Sequence, residues 1–277
     1  MSTTDELTKV RQSIRQGWEE VAPEYSKDRL GIFKRSARRL LQMLQPTRGS
    51  VLLDVACGSG AVALQAAELV GPKGKVMAVD IARNMMRLSY GKAVQATSDI
   101  GFSQMDAECL AFADATFDSV ACAFSLFQFP RVAQALAEMW RVLRPGGRLV
   151  LSNWGPGYFS PIASLQGTLF REFGIRPLLT NPVVFKPADL EAIVAEEGFD
   201  VVEMIEETDE VTFATPEEVW AFDMDMGPFP MMLRQQLSAD RQTELLRRFV
   251  DVLQGLASKK GIDSTFHVLF TLAEKGG

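Results

Sequence analysis

Short hydrophobic runs alternate with helix-spaced apolar patterns along the first 154 residues of the chain. The runs predict strands at Val51–Ala56, Lys75–Val79, Gly101–Met105, Phe117–Ala123 and Arg148–Ser152. Apolar residues spaced three and four apart predict helices between them, at Ala61–Leu69, Arg83–Ala96 and Val132–Leu143. Strands that alternate with helices are typical of an α/β fold, in which a parallel sheet is built from right-handed crossovers.

Further elements flank this region. Helices are predicted at Thr4–Glu20 and Ile32–Leu44, where they would cover one end of the sheet. Two late strands, Phe199–Ile205 and Thr265–Leu272, predict an antiparallel pair at the sheet edge, joined by a long excursion. The remaining predicted helices are Ala188–Glu197, Ala239–Lys259 and one that begins with a capping box at Thr215.

The segments around the last strands are rich in glycine, proline and aromatic residues. The first of them contains Gly155, Pro156, Gly157, Pro177, Pro182 and Pro187. We interpret residues 155–198 and 207–262 as a lid over a cleft, inserted between and around the last strands. The chain would then be a single domain over 1–277, with an N-terminal helical cap at 1–49 and a core at 50–154.

Composition limits the kinds of partner. A formal net charge of −6 leaves no basic excess for phosphates, so we expect a small-molecule partner and no nucleic acid. No apolar run reaches the ~18 residues of a membrane span, and Asp5 and Glu6 stand where a signal peptide would be basic. We therefore expect a cytoplasmic monomer or homodimer.

The three cysteines, Cys57, Cys109 and Cys122, lack the spacing of metal ligands. We therefore expect them to be small core residues and expect no metal site.

The stretch LLDVACGSGAVALQAA, residues 52–67, leads from a strand through a tight glycine turn into a helix. Gly58, Gly60 and Ala63 match the G-x-G-x-x-A fingerprint of a dinucleotide site. Asp80 ends a strand twenty residues after Gly60, where a carboxylate can accept hydrogen bonds from both hydroxyls of a ribose. At this point the turn suits a dinucleotide and S-adenosylmethionine equally.

Asp54 changes that balance, because it lies inside the strand that precedes the glycine turn. A carboxylate in such an apolar segment needs a partner. A pyrophosphate would repel it, whereas a ligand with an ammonium group and a sulfonium cation would be attracted to the negative charge. The position of Asp54 therefore favours S-adenosylmethionine.

Five segments occur in order along the chain: LLDVACGSG, VMAVDIARNMMRLS, MDAECLAF, FDSVACAFSLFQF and MWRVLRPGGRLVLSNW. They resemble the successive motifs of class I S-adenosylmethionine-dependent methyltransferases, most of all the ubiquinone/menaquinone-biosynthesis type. The likeness is strong over about residues 14–154 and weak afterwards. It implies a Rossmann-like sheet of seven strands in the order 3-2-1-4-5-7-6, with strand 7 antiparallel and helices on both faces.

The resemblance also implies a set of residues that bind S-adenosylmethionine. Asp54 would lie near the ammonium group, Asp80 would bind the ribose and Asp106 the adenine amino group. Phe124 would line the methionine end, and Tyr25 of the segment WEEVAPEY would close the pocket. The complete set is Tyr25, Asp54, Ala56, Gly58, Gly60, Asp80, Ile81, Met85, Asp106, Ala107, Phe124 and Ser125.

Methyl transfer from a sulfonium needs alignment more than covalent help, and an ionisable acceptor also needs a base. His267, the only histidine, is a candidate base, although a structural histidine is equally ordinary in an apolar strand. Gln128 could position the acceptor.

Aromatic residues of the lid suggest a hydrophobic or aromatic acceptor, such as a prenyl, quinone-like or polyketide-like molecule. The residues assigned to the acceptor are Trp154, Tyr158, Phe159, Phe170, Phe173 and Phe222. About half of the apolar lid residues are expected to serve packing alone.

Two other functions stay open at this stage. A non-catalytic S-adenosylmethionine binder, acting as a scaffold or regulator, would bind the cofactor tightly without turnover. An NAD(P)-dependent oxidoreductase would be stabilised by a nicotinamide cofactor and not by S-adenosylhomocysteine.

Overall fold

A computed structural model of the chain describes residues 3–25, 27–176 and 183–276. Its strands are β1 (Val51–Val55), β2 (Lys75–Asp80), β3 (Ile100–Gln104), β4 (Phe117–Ala123), β5 (Leu143–Trp154), β6 (Phe199–Phe213) and β7 (Ile262–Lys275). They form one sheet in the order β3-β2-β1-β4-β5-β7-β6. Strand β7 is antiparallel to both β5 and β6, while the other pairs are parallel. The predicted fold class and strand order are confirmed.

Helices pack against this sheet and against one another. They are α1 (Thr3–Tyr25), α2 (Ile32–Leu44), α3 (Ala61–Val70), α4 (Arg83–Gln95), α5 (Val132–Val142), α6 (Ile162–Glu172), α7 (Pro187–Glu196), α8 (Pro216–Asp225), α9 (Phe229–Gln236) and α10 (Ala239–Gln254). Helix α3 contacts β1 and β2, α4 contacts β2 and β3, and α7 contacts β6. Helices α6, α8 and α9 all contact α10, and α1 reaches across to α8 and α9.

The last two strands are longer than the sequence predicts. They pair without interruption at their distal end, from Glu203 opposite Leu272 to Phe213 opposite Ile262. Residues 207–213, which we assigned to the lid, therefore lie in the sheet. The sequence did not show this because β6 is an edge strand, and its charged stretch from Glu206 to Glu210 has the polarity that keeps such edges from pairing with other molecules.

Other boundaries move by a few residues, and α1 continues to Tyr25 through Pro23. Thr215 caps α8 as predicted, since its hydroxyl accepts the backbone N–H of Glu218 at 3.2 Å. Pro177 and Pro182 of the proposed lid lie outside the described residues, and the division into cap, core and lid stays a prediction. None of the helices in the described ranges combines the length and apolar character needed to cross a bilayer.

The carboxyl ends of β1, β2 and β4 lie side by side, because these strands are parallel neighbours in the sheet. The chain leaves two of them through a left-handed backbone, with φ of +56° at Ala56 and +52° at Phe124. Such conformations are uncommon for residues other than glycine and occur often at functional sites. The sheet thus presents its bent strand ends, and the side chains that follow them, at one edge.

Candidate active site

A first cavity opens at the carboxyl ends of β1, β2 and β4. It is lined by all but one of the residues predicted to bind S-adenosylmethionine: Tyr25, Asp54, Ala56, Gly58, Asp80, Ile81, Met85, Asp106, Ala107, Phe124 and Ser125. The fold therefore brings together residues that lie up to a hundred positions apart in the chain. Their location agrees with the predicted cofactor site, while the role of each residue stays a prediction.

Gly60 is the exception, because it does not line the first cavity. Its φ is +86°, and a Cβ atom there would lie 2.2 Å from the hydroxyl oxygen of Ser89 on α4. The structure thus requires glycine at this position for helix packing. Gly58 differs: its φ is +53°, and a Cβ atom would meet only the ring of Tyr25, at 3.6 Å. The space beside Gly58 is available to a ligand.

Two buried carboxylates lie at the base of the first cavity. Asp54 accepts the backbone N–H of Ala63 at 2.9 Å, and burial raises its pKa to about 8. Asp80 accepts the N–H groups of Gly58 at 2.9 Å and Ala82 at 2.8 Å, and burial raises its pKa to about 6. No lysine or arginine forms an ion pair with either carboxylate within the described part of the chain. These two hydrogen-bond acceptors fit a ligand that brings its own positive charge and hydroxyl donors.

An ionic cluster holds the loop after β3 against α1. Arg11 of α1 lies 3.1 Å from the Asp106 carboxylate and also pairs with Glu108. Glu108 donates its backbone N–H to Asp106 at 2.9 Å, and its own buried carboxylate accepts the N–H of Arg131 at 2.7 Å. Glu108 therefore serves as a cap for the loops, whereas Asp106 faces the cavity. Arg11 lines the cavity as well, although no sequence motif had indicated it.

A row of aromatic rings runs from the first cavity into a second one. Ring centroids are 5.2 Å apart for Trp18 and Tyr25, 4.8 Å for Tyr25 and Phe33, and 5.5 Å for Phe33 and Phe124. These four residues and Gln128 line both cavities. Trp18 and Phe33 were missed because apolar residues at helical spacing are read as core residues, and nothing in one sequence separates a cavity wall from a core.

The second cavity has a volume of about 760 Å³ and lies between the sheet edge and the lid helices. Of the residues assigned to the acceptor, Trp154, Tyr158 and Phe170 line it. The ring of Trp154 packs against Phe124, with centroids 4.2 Å apart, and against Tyr158 at 4.6 Å. Met226 and Phe229 also contribute to its wall.

The other assigned aromatics do not line the second cavity. Phe159 and Phe222 pack together at 5.8 Å, in a cluster with Phe213 and Phe266. Phe173 contacts arginine side chains of α10. The assignment of these three residues to the acceptor is corrected: they build the lid and its contact with the sheet. The expectation that about half of the apolar lid residues serve packing fits this division.

His267 lines neither cavity. Its ring nitrogen Nδ1 lies 3.2 Å from the hydroxyl of Thr208 on β6. Its neighbour Phe266 contacts the rings of Trp154 and Tyr158, and successive residues of a strand point to opposite faces. The structure therefore does not bring His267 to the site and gives no support to its role as a base.

Replacement of His267 by alanine is accordingly expected to leave turnover and cofactor affinity within about twofold of the unmodified protein, because surface substitutions away from a site have small effects. Steady-state kinetics and calorimetric titration with S-adenosylhomocysteine would measure both. A loss of turnover of about a hundredfold with the fold intact would restore His267 as the base.

Gln128 has a different setting. It ends a 3₁₀ turn at Leu126–Gln128, just after β4, and faces both cavities. Its side-chain oxygen Oε1 is buried and has no hydrogen-bond partner within the described residues. Because an unpaired buried acceptor costs free energy, this atom is suited to accept a hydrogen bond from a ligand.

A model of the ubiE/COQ5 methyltransferase family matches residues 5–155, more than half of the chain. The chain belongs to the ubiE/COQ5 methyltransferase family. Members are enzymes that use S-adenosylmethionine as methyl donor, so the predicted class, activity and cofactor are confirmed. The match covers the motifs that carried the resemblance and ends just after β5, at the point where the sequence likeness becomes weak.

Relatives of this ubiE/COQ5 family member differ in the reactions they are named for. The ubiquinone/menaquinone biosynthesis C-methyltransferase of Geobacter sulfurreducens is 31% identical over 70% of this chain and 83% of its own length. Nocamycin O-methyltransferase of Saccharothrix syringae is 36% identical over 60% of this chain and 56% of its own length. A crystal structure of a Bacillus halodurans protein has a TM-score of 0.65 and 20% identity, covering 87% of this chain and 99% of that one, which supports the fold alone.

Proposed function

We propose that this protein transfers a methyl group from S-adenosylmethionine, bound in the first cavity, to an aromatic, quinone-like acceptor bound in the second. The observation that carries the proposal is the shared wall of Trp18, Tyr25, Phe33, Phe124 and Gln128, because it makes the two cavities meet. A displacement needs its two reactants at such a junction, held in near-attack geometry.

In the first cavity, each part of S-adenosylmethionine has residues that fit its chemistry. The Asp54 carboxylate suits the ammonium group, because a nearby cation favours the ionised form that burial disfavours. Asp80 suits the ribose hydroxyls, while Ile81 and Asp106 suit the adenine ring and its amino group. Phe124 lies where the methionine end would meet the second cavity.

The acceptor class follows from the second cavity. Its wall is mainly aromatic and aliphatic, and its volume of about 760 Å³ accommodates a fused aromatic ring with a hydrocarbon substituent. The Geobacter sulfurreducens relative is named for ubiquinone and menaquinone biosynthesis, and a Deinococcus radiodurans relative for demethylmenaquinone. A reduced, hydroxylated quinone is therefore the acceptor that we propose.

The chain's own residues contribute orientation and the exclusion of water. Bound S-adenosylmethionine supplies a methyl group on a sulfonium, and a nucleophile can attack the methyl carbon in line with the sulfur that leaves. The closely packed rings of Phe124 and Trp154 keep the junction apolar, and so strengthen electrostatic interactions there. The free Oε1 of Gln128 can accept a hydrogen bond from a hydroxyl of the acceptor and orient its ring.

The test uses the full chain with S-adenosylmethionine and a short-chain demethylmenaquinone kept reduced by dithionite. Mass spectrometry is expected to show a methylated quinol and S-adenosylhomocysteine in equal amounts, because one methyl group moves in each turnover. The control variant Glu217→Gln changes an exposed carboxylate at the start of α8 and should retain full activity.

Two other results would contradict the proposal. Binding of S-adenosylhomocysteine without turnover on hydroquinones or phenols would identify a non-catalytic binder. Thermal stabilisation by NADH, with none by S-adenosylhomocysteine, would identify the glycine turn as a dinucleotide site and the protein as an oxidoreductase.

A further inference from the structure

The second cavity contains one carboxylate that the mechanism above does not use. Asp223 lies in α8 and is 3% exposed. Its side chain lines the second cavity, where the amide of Gln166 on α6 donates a hydrogen bond to one carboxylate oxygen. Among the described residues, no other side chain donates to Asp223 and no arginine or lysine forms an ion pair with it. A buried carboxylate with one neutral donor is left with unused acceptor capacity.

Apart from Gln166, the polar side chains that share the cavity with Asp223 form no hydrogen bond or ion pair with it within the described part of the chain. Tyr158 and Arg171 line the same cavity. The pKa of the buried Tyr158 phenol is raised, mainly by burial and further by the negative charge of Asp223. Arg171 is exposed and donates to Thr168. From α1, Tyr25 also faces the cavity.

Several cations on the neighbouring elements form ion pairs with other carboxylates. Arg29 pairs with Asp225, Arg234 of α9 pairs with Glu20 of α1, and Arg248 of α10 pairs with Glu172 of α6. On β6, Glu207 and Asp209 pair with arginines of α2. Among the described residues, the Gln166 amide is therefore the one side-chain donor to this carboxylate, which faces a mainly apolar chamber.

We propose that Asp223 is the residue that binds a hydroxyl group of the acceptor and takes its proton, with Gln166 as its positioning residue. This inference rests on the proposed function and adds a requirement: the acceptor must present an acidic hydroxyl, as phenols, enols and hydroquinones do. The acceptor's O–H bond breaks, the proton moves to the Asp223 carboxylate, and the electron pair stays on the acceptor. That electron pair makes the acceptor nucleophilic: a bond to the methyl carbon forms as the bond from that carbon to sulfur breaks, and S-adenosylhomocysteine leaves. In methylation on a ring carbon, that carbon then loses its own proton to solvent and Asp223 returns its proton to the oxygen; in methylation on oxygen, Asp223 releases its proton to solvent.

The protonation equilibrium of Asp223 suits this task. Burial raises its pKa to about 7, and the hydrogen bond from Gln166 opposes that rise. A base works best when its pKa lies near the operating pH, since it is then ionised often enough and still holds a proton well. The carboxylate form, which accepts the hydroxyl, is the major form above this pKa and is lost as the pH falls through it.

A binding experiment tests the inference without turnover. The full chain, saturated with S-adenosylhomocysteine, is titrated with 1-naphthol and with 1-methoxynaphthalene, which has the same ring and no hydroxyl donor. At pH about 8 the protein is expected to prefer naphthol by about tenfold, because a hydrogen bond to an ionised group contributes that much. The preference should fall as the pH drops to about 6 and Asp223 becomes protonated.

Three variants accompany the titration. Asp223→Asn should lose the pH-dependent preference while retaining its affinity for S-adenosylhomocysteine, which shows that the fold is intact. Gln166→Leu should move the pH midpoint upward, because the donor that favours the carboxylate is removed. Glu217→Gln makes the same carboxylate-to-amide change at the exposed start of α8 and should behave as the unmodified protein.

Equal affinities for the two probes in the unmodified protein, or a pH-dependent preference that persists in Asp223→Asn, would overturn the inference.

Turnover provides a second measurement. Asp223→Asn should lower kcat for the demethylmenaquinol by about a hundredfold, as for loss of a general base. A nitro-substituted phenol that is already ionised should escape this loss. Failure of the unmodified protein to methylate any acceptor would instead reject the proposed function, whatever the naphthol titration shows.

Discussion

Replacement of Gly58 by valine is expected to abolish binding of S-adenosylmethionine. Gly58 has a φ of +53°, in a region where a β-branched residue is strained by about 1–2 kcal/mol. Its missing side chain also leaves the space between the glycine turn and Tyr25 open, and the valine methyl groups would occupy it. Calorimetric titration with S-adenosylhomocysteine should show a loss of affinity of at least about a hundredfold.

Gly146→Val is the matched control for this prediction. Gly146 also has a left-handed backbone, with a φ of +72°, but no atom lies within 4 Å of the position of its Cβ. It lies in β5 between Leu143 and Arg148, where the pairing with β4 shifts in register, and does not line either cavity. The control should lose thermal stability and keep its cofactor affinity. Equal affinity in the Gly58 and Gly146 variants would remove the glycine turn from the binding site.

Replacement of Asp80 by alanine should weaken S-adenosylmethionine binding by at least about tenfold, since hydrogen bonds to a charged acceptor are the stronger ones. The expected loss has two sources: in the proposed binding mode the ribose hydroxyls would lose their acceptor, and the N–H of Gly58 loses the carboxylate that holds the turn. Fluorescence or calorimetric titration measures the effect.

Asp118→Ala separates these effects from a general weakening of the sheet. Asp118 also accepts a backbone N–H at the end of a central strand, that of Val51 at 2.7 Å, but at the opposite edge of the sheet. The variant is expected to be less stable than the unmodified protein and to bind the cofactor normally. If both aspartate variants lose affinity in parallel, Asp80 acts through stability alone.

The core of the fold could be predicted because the apolar strand segments and the periodic helices between them both indicate the same alternation of strands and helices. Strands β1, β2, β4 and the second half of β5 are largely buried and appear in the sequence as apolar runs, separated by helices of clear periodicity. The position of Asp54 inside such a run was informative for the same reason, since a carboxylate there needs a ligand or a donor. The edge strand β6 was underestimated because its polar middle section has no such pattern.

Cavity walls were harder to predict than the residues that follow the strands. Phe159 and Tyr158 are adjacent and both aromatic, yet only Tyr158 faces the second cavity. Their difference is set by the sharp turn after β5, where Phe159 has a φ of +51°, and not by any property of the side chains. Asp223 was one of several lid carboxylates in the sequence, and only the packing of α6 against the neighbouring helices separates it from the exposed ones.

The aromatic row has a consequence for the order of events in a reaction cycle. Trp18 and Tyr25 belong to α1, and both rings form part of the partition between the two cavities. The same helix contacts Asp106 of the first cavity through Arg11. A single outward movement of α1 would therefore unseal both chambers together, so that exchange of spent donor and departure of methylated product share one gate. We expect the two products to leave in a coupled manner.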